Sequence, residues 1–404
     1  MNLYCVRGWV YMKILLANLT KMVDDSGGLA KVTSAFANEM KRRGHEVALV
    51  YSDIQRGNFY YPLDNGIPAL DIRHYKGEEI PYPWYLKIKR ELYRVFSKQK
   101  ARTVNTAFAE TYLLRNLQDV LNTIQPDIIV SFQPAASKML LCDLKTAVPV
   151  ITMSHGDPED YFHTYPKAEI PALELSAVCQ VLLPSFAQHI LTHLPNAKTI
   201  VIGNAIPQYE EQADLAADKM QHKILFLARL SKNHKRPHLL IEAFAKIADE
   251  FPNWIVELWG AEDGKAYYKE LQILIKKYGL ENRVLLKGAT KNVSSVLKAG
   301  DVFAFPSAYE GFGLSLGEAM SMGLPAVGYK SCSAVNELIE DGKNGFLCED
   351  GIDDFAAKLA KLMADAPLRI ALGAYARQSM QQYAPQRIWD SWEELMRKLA
   401  KGAS

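Results

Sequence analysis

Pro306-Ser307-Ala308-Tyr309-Glu310-Gly311-Phe312-Gly313-Leu314-Ser315-Leu316-Gly317-Glu318-Ala319-Met320 decides how this chain is read. It follows Asp301-Val302-Phe303-Ala304-Phe305, an apolar run with the character of a buried strand. Pro306 stops that strand, and Gly311 and Gly313 free the backbone to turn. From about Leu314 the pattern is helical until Gly323, a left-handed stop before Leu324-Pro325. One carboxylate, Glu310, therefore sits in the loop and another, Glu318, in the helix after it. Bare backbone N–H groups at that helix start suit a phosphate. Carboxylates beside a phosphate cradle suit a ligand with both hydroxyls and phosphate, a nucleotide sugar. Taken alone, the two glutamates also suit an ordinary charged surface.

Composition narrows the setting. A chain of 404 residues exceeds one ordinary core, so two domains are expected. The formal net charge of +2 argues against a dedicated nucleic-acid binder. Cys5, Cys142, Cys179, Cys332 and Cys348 are scattered without metal-ligand or redox spacing, which fits a reduced cytoplasm and no structural zinc. No apolar run approaches the roughly 20 residues of a membrane span. The first eleven residues read as an extension ahead of Met12-Lys13-Ile14, without the features of a signal peptide.

The first half opens as strand, Gly-rich loop, helix, strand: Ile14–Asn18, Lys21–Gly28, a helix with Leu29, Val32, Phe36 and Met40 on one face, and Val47–Val50. Such units build parallel sheets. Ser26 is the expected N-cap. Gly27-Gly28 lacks the dinucleotide-binding spacing and fits either a tight turn or the close approach of a ligand. Residues 52–83 read as irregular. Trp84 to Arg102 reads as one helix with seven basic residues and one acid, and with Tyr85, Ile88, Leu92, Val95 and Phe96 on one face. Its apolar face either packs on its own domain or lies on an anionic membrane. Asp127–Ser131, Pro149–Met153, Val181–Ser185 and Thr199–Asn204 read as further strands. His155, just past the second of these, lies where open α/β sheets bind ligands, although a loop histidine without a role would also fit.

The polar segment 206–221 reads as a linker between a domain at 1–205 and one at 222–384, with a helix from Pro385 to the end. In the second domain Arg229 follows the strand Ile224–Ala228, and Lys235 follows within Ser231–Pro237. Two cations at a strand's C-terminal edge can hold a diphosphate, or can be a solvated basic loop. Gly288, closing the strand Val284–Gly288, joins the donor-binding set.

Arg229…Lys235-x-Pro-x-x-Leu-Ile-Glu-Ala-Phe, then Glu310-Gly-Phe-Gly-Leu…Glu318-Ala, with Gly27-Gly28 upstream, resembles the retaining glycosyltransferases of family 4. The resemblance runs from about Met12 to the C-terminus. It implies an α/β fold of the GT-B type, two Rossmann-like domains facing each other across a cleft, with the N-terminal one binding acceptor. It implies that Glu310 holds the donor sugar's hydroxyls and Glu318 the ribose. Arg229, Lys235 and the N–H groups of Phe312, Gly313 and Leu314 would hold the diphosphate. Gly27-Gly28 would approach phosphate or acceptor, His155 would contact the donor sugar, and the last helix would cross back onto the first domain. Neither metal nor cofactor is implied, the nucleotide sugar being the substrate. Arg236 departs from the pattern, which more often has Gly there.

The expected activity is retaining transfer of a hexose, from a UDP-sugar by preference, to a hydroxyl of a glycan or lipid-linked acceptor, in cell-surface polysaccharide or lipopolysaccharide synthesis. The expected location is the cytoplasm or the inner face of its membrane. A nucleotide-sugar epimerase would consume donor without acceptor, a phosphorylase would carry a lysine-bound pyridoxal, and a non-catalytic sugar- or lipid-binding module would bind nucleotide without turnover.

Overall fold

The computed structural model describes residues 11–402 except Ser26, so the extension and the expected Ser26 cap lie largely outside the described residues. Two compact units emerge, one of residues up to 203 with 389 onward, the other of 204–388.

The first unit is built on a seven-stranded parallel sheet, β1 (Lys13–Asn18), β2 (Glu46–Tyr51), β3 (Ala69–Asp71), β4 (Ile128–Ser131), β5 (Val150–Met153), β6 (Val178–Val181) and β7 (Thr199–Val201), in the order β3-β2-β1-β4-β5-β6-β7. Strands β1, β4, β5 and β6 are almost continuously buried, as strands covered by helices on both faces must be. Segment 52–83, expected to be irregular, contains β3, which pairs with β2 over Leu49–Tyr51. Three residues carry too little pattern to betray a strand. The strand expected at Val181–Ser185 instead ends at Val181, because Pro184 opens the helix Pro184–His193.

The basic segment 84–102 is two helices, Trp84–Phe96 and Lys98–Phe108. Ser97 adopts extended backbone (φ −161°, ψ 122°), and its hydroxyl caps the second helix by accepting from the Lys100 N–H. Ala101, Val104 and Phe108 of the second helix are buried, whereas the first helix buries none of its residues. The final helix, Pro385–Lys401, packs Trp392 edge-on to Phe36 at 4.9 Å and Trp389 at 5.6 Å. Its Asp390 and Glu393 accept from Arg43 Nη1 at 2.7 and 2.9 Å.

The second unit carries a six-stranded parallel sheet, β8 (His222–Leu227), β9 (Trp254–Trp259), β10 (Val284–Gly288), β11 (Val302–Phe305), β12 (Ala326–Tyr329) and β13 (Gly345–Cys348), in the order β10-β9-β8-β11-β12-β13. The polar segment 205–221 is not loose. Ile206 is fully buried and packs where Gly317 leaves no room for a Cβ, the Ile206 N–H donates to the Tyr383 carbonyl, and the Ala213 N–H donates to the Met322 carbonyl. Among the described residues no helix is long and apolar enough to cross a membrane.

Candidate functional site

In each sheet the strand order reverses once, between β1 and β4 and between β8 and β11. Loops leaving the C-terminal ends of two such strands diverge and open a crevice, the usual ligand position in open α/β sheets.

In the second unit the two diverging loops are those carrying Arg229–Arg236 and Pro306–Gly313. Phe303 pairs with Leu225 across β11 and β8, which sets the loops side by side. The Ala308 N–H donates to the His234 carbonyl at 2.8 Å, and Tyr309 stacks on His234 with ring centroids 4.3 Å apart. Lys235 Nζ forms a short ion pair with Glu310 Oε1, and both side chains are largely buried. The ammonium also lies 5.1 Å from the centre of the Phe305 ring. Burial first, and the Lys235 charge second, push the His234 imidazole below its ordinary pKa. His234 is thus neutral near pH 7, and the charge pair is Lys235 with Glu310.

Arg229 lies on the same loop, exposed, with no ion pair among the described residues. Gly313 takes a left-handed conformation (φ 79°) and caps the helix Leu314–Ser321. A Cβ would be strained there, which explains the glycine. The first N–H groups of that helix thus begin at the crevice, positive end outward. Phe312 is buried and meets Tyr383 edge-on at 5.0 Å, anchoring the turn. Glu318 is buried one turn into the helix. Burial, with the Glu318 charge adding to it, pushes the nearby Tyr209 hydroxyl up to about 12.

Two further features shape these loops, Arg236, noted in the sequence only as a departure, and Gly260, which the sequence reading missed. Arg236 occupies left-handed backbone (φ 50°), where glycine would be unstrained, and so accounts for the departure from the family pattern. Its Nε donates to the Pro306 carbonyl and its Nη2 to the Ser307 carbonyl, each at 2.8 Å, while the guanidinium covers the Tyr329 ring at 4.8 Å. One side chain thereby ties both loops together. Gly260, after β9, comes so close to β8 that a Cβ would sit 1.9 Å from the Ala228 carbonyl oxygen. The Gly260 N–H donates to the carbonyl of Gly288, itself at φ 73°, at the outer edge of this half of the sheet.

In the first unit, Gly27 precedes the helix Gly28–Arg42 with extended backbone (φ −70°), and its N–H donates to Asp25 Oδ1 at 2.9 Å, an oxygen that a Cβ on Gly27 would approach to 3.0 Å. A Cβ at Gly28 would meet nothing within 4 Å, leaving open space above it. The loop ahead of them is fixed by Asp53, a buried residue whose Oδ2 accepts from the Met22 and Val23 N–H groups at 2.9 and 2.8 Å. Its position just past the C-terminal end of β2 was the available signal. His155 follows β5 and lies parallel to Phe132 at 5.4 Å. Part of the residue reaches solvent, but Nε2 is buried without a hydrogen-bond partner among the described residues, and burial lowers the imidazole pKa to about 4.

This geometry agrees with two family models that together match residues 26–379. Residues 26–207 match Glycosyltransferase Family 4, and residues 207–379 match Glycosyl transferases group 1. The chain is a family 4 glycosyltransferase of the GT-B type. The enzyme is 24% identical over 382 residues to the amylovoran biosynthesis glycosyltransferase AmsD of Erwinia amylovora, covering 93% of this chain and 97% of that protein. Its fold is similar to sucrose-phosphate synthase from Thermosynechococcus elongatus, with a TM-score of 0.75, 16% identity, and coverage of 97% and 99% of the two chains. Anabaena HepE, solved with UDP and glucose, gives a TM-score of 0.68 at 19% identity, over 96% of this glycosyltransferase and all (100%) of HepE.

Proposed function

We propose that this glycosyltransferase moves a hexose from a UDP-sugar to a hydroxyl of a glycan or lipid-linked acceptor, with retention at the anomeric carbon and without a metal. The reading places its work in the synthesis of a cell-surface polysaccharide. The observation that carries it is the buried Lys235–Glu310 pair beside the Gly313-capped helix, with Arg229 unpaired on the same loop. Among the groups of a nucleotide sugar, Glu310 matches the sugar hydroxyls, since a carboxylate beside a phosphate would be repelled. Lys235, Arg229 and the N–H groups of Phe312, Gly313 and Leu314 match a diphosphate, and Glu318 matches ribose hydroxyls. The likeness to the amylovoran enzyme and to a UDP-bound fold relative supports the choice of pathway and of uridine.

In the proposed reaction the bond from the anomeric carbon to the diphosphate oxygen breaks as the acceptor oxygen attacks from the same face. The acceptor's proton passes to the departing phosphate oxygen, so no carboxylate need act as nucleophile. Arg229 and Lys235 stabilise the charge growing on the diphosphate, the kind of contact worth roughly 3 kcal/mol in a preorganised site. His155, neutral at working pH, is assigned to the donor sugar, and Gly27-Gly28 to the close approach of phosphate or acceptor.

The test is a thermal-shift screen of UDP-, GDP- and ADP-sugars followed by transfer assays with and without EDTA. Stabilisation by UDP-sugars, EDTA-insensitive transfer, and an α-linked product from an α-linked donor are the expected results. Glu310→Ala and Lys235→Ala should each abolish transfer in a folded protein, and wild-type turnover in either variant would sink the assignment.

A further inference from the structure

The helix Trp84–Phe96 presents an apolar face that no described residue covers. Trp84 is 74% exposed, Ile88 52%, Leu92 59%, Val95 79% and Phe96 83%. On an α-helix these positions fall within an arc of about 120°. The opposite edge is what holds the helix to its unit. Leu86 and Tyr82 pack against the hydrophobic core, and the Arg90 guanidinium lies 5.4 Å from the Tyr82 ring centre. The break at Ser97 lets the next helix bury its own apolar side while this one keeps its face outward.

Exposed cations lie on the same helix and at the start of the next one. Glu91, the one acid between Trp84 and Arg102, is bridged by Arg90 at 2.8 Å and Arg94 at 3.0 Å, so its charge is neutralised locally. Lys87, Lys89, Lys98 and Lys100 make no ion pair among the described residues. A strip of large apolar side chains flanked by unpaired lysines is complementary to a surface with phosphates outside and hydrocarbon beneath.

We infer that this face docks the enzyme on an anionic lipid bilayer, with Trp84, Ile88, Leu92, Val95 and Phe96 entering the boundary between headgroups and acyl chains and the four lysines meeting lipid phosphates. A second copy of the chain fits the face less well. A two-fold contact would set the same unpaired lysines against each other with no acid to neutralise them.

The inference does not rest on the transfer reaction, because it is read without donor or acceptor. The full chain is sedimented with vesicles of phosphatidylcholine alone and of phosphatidylcholine with phosphatidylglycerol. Binding to the mixed vesicles at low salt, released by added salt and at least about tenfold weaker on phosphatidylcholine, is expected. Replacing Lys87, Lys89, Lys98 and Lys100 by Gln should weaken binding by about two orders of magnitude, from roughly fivefold per cation reduced by screening. Ile88→Ser with Leu92→Ser and Val95→Ser should weaken it at least about tenfold, with an unchanged unfolding temperature because these side chains are exposed. Trp84→Phe should remove a blue shift in fluorescence seen on adding mixed vesicles. The inference is overturned if wild-type protein ignores anionic vesicles at low salt, or if both multiple variants bind as wild type does. It is also overturned if the wild type is a dimer that the serine variant makes monomeric while vesicle binding is unchanged.

Discussion

Arg236 offers the sharpest test of how the crevice beside Lys235 and Glu310 is built, because its backbone and its side chain pull in opposite directions. The left-handed conformation at φ 50° costs a residue with a Cβ on the order of 1 kcal/mol, and glycine almost nothing. Against that, the guanidinium makes two hydrogen bonds of 2.8 Å to carbonyls of a buried turn, each worth about 1.5–3 kcal/mol for a charged donor. Its position over Tyr329 adds roughly 0.5 kcal/mol. Arg236→Ala loses the bonds and keeps the strain, so after allowing for water reaching the freed carbonyls it should cost about 3 kcal/mol. Arg236→Gly loses the same bonds but relieves the strain, and should be about 1 kcal/mol less damaging. In calorimetry of the full chain, the transition of the unit 204–388 should fall by roughly 6–12 °C for the alanine variant, at about 2–4 °C per kcal/mol for a unit of this size. The glycine variant should fall by less. Because the same loops carry Lys235 and Glu310, both variants should also lose transfer activity. An alanine variant as stable as wild type, or a glycine variant less stable than alanine, would refute the account of Arg236 as a tie between the two loops.

Three further predictions address other parts of the chain. Burial holds His155 at a pKa of about 4 against an ordinary 6.5, so between these values the unfolded chain binds the proton and the folded one does not. Stability should therefore fall as pH drops from about 6.5 towards 4, by up to about 1.4 kcal/mol per pH unit at this site, and His155→Gln should flatten that slope in urea titrations at each pH. Ser307 Oγ is buried without a hydrogen-bond partner among the described residues, so Ser307→Ala should leave the urea midpoint unchanged or raise it, and a clear loss would overturn that account. Trp392, 2% exposed against Phe36, should cost about 3–5 kcal/mol when replaced by Ala, read as loss of the first unit's unfolding transition at physiological temperature.

The sequence alone determined the features that repeat with a period or stand next to one another. Buried parallel strands are continuous apolar runs, and helices carry their apolar residues three and four apart, so most of the strands and the helix after the Glu310 loop could be placed from the chain. The exceptions have local causes: β3 is three residues long, and the strand β6 was displaced because Pro184 starts a helix rather than ending a strand. The loop carrying Glu310, the helix carrying Glu318 and the cations Arg229 and Lys235 were legible for the same reason, as each lies in the loop after a strand or in a helix.

What only the tertiary structure decided was which of these meet. That Lys235 pairs with Glu310 depends on β8 lying beside β11, a neighbour relation between strands far apart in sequence. Asp53 and Gly260 act through backbone groups of other segments, so their residue type alone carries no sign of the role. Arg236 looked like a departure from a pattern until its backbone angle and its two carbonyl partners showed what replaces glycine there. The helix Trp84–Phe96 shows the limit most directly. Its amphipathic pattern states that one face seeks an apolar contact, and only the break at Ser97 and the packing of its opposite edge leave that face turned to the outside.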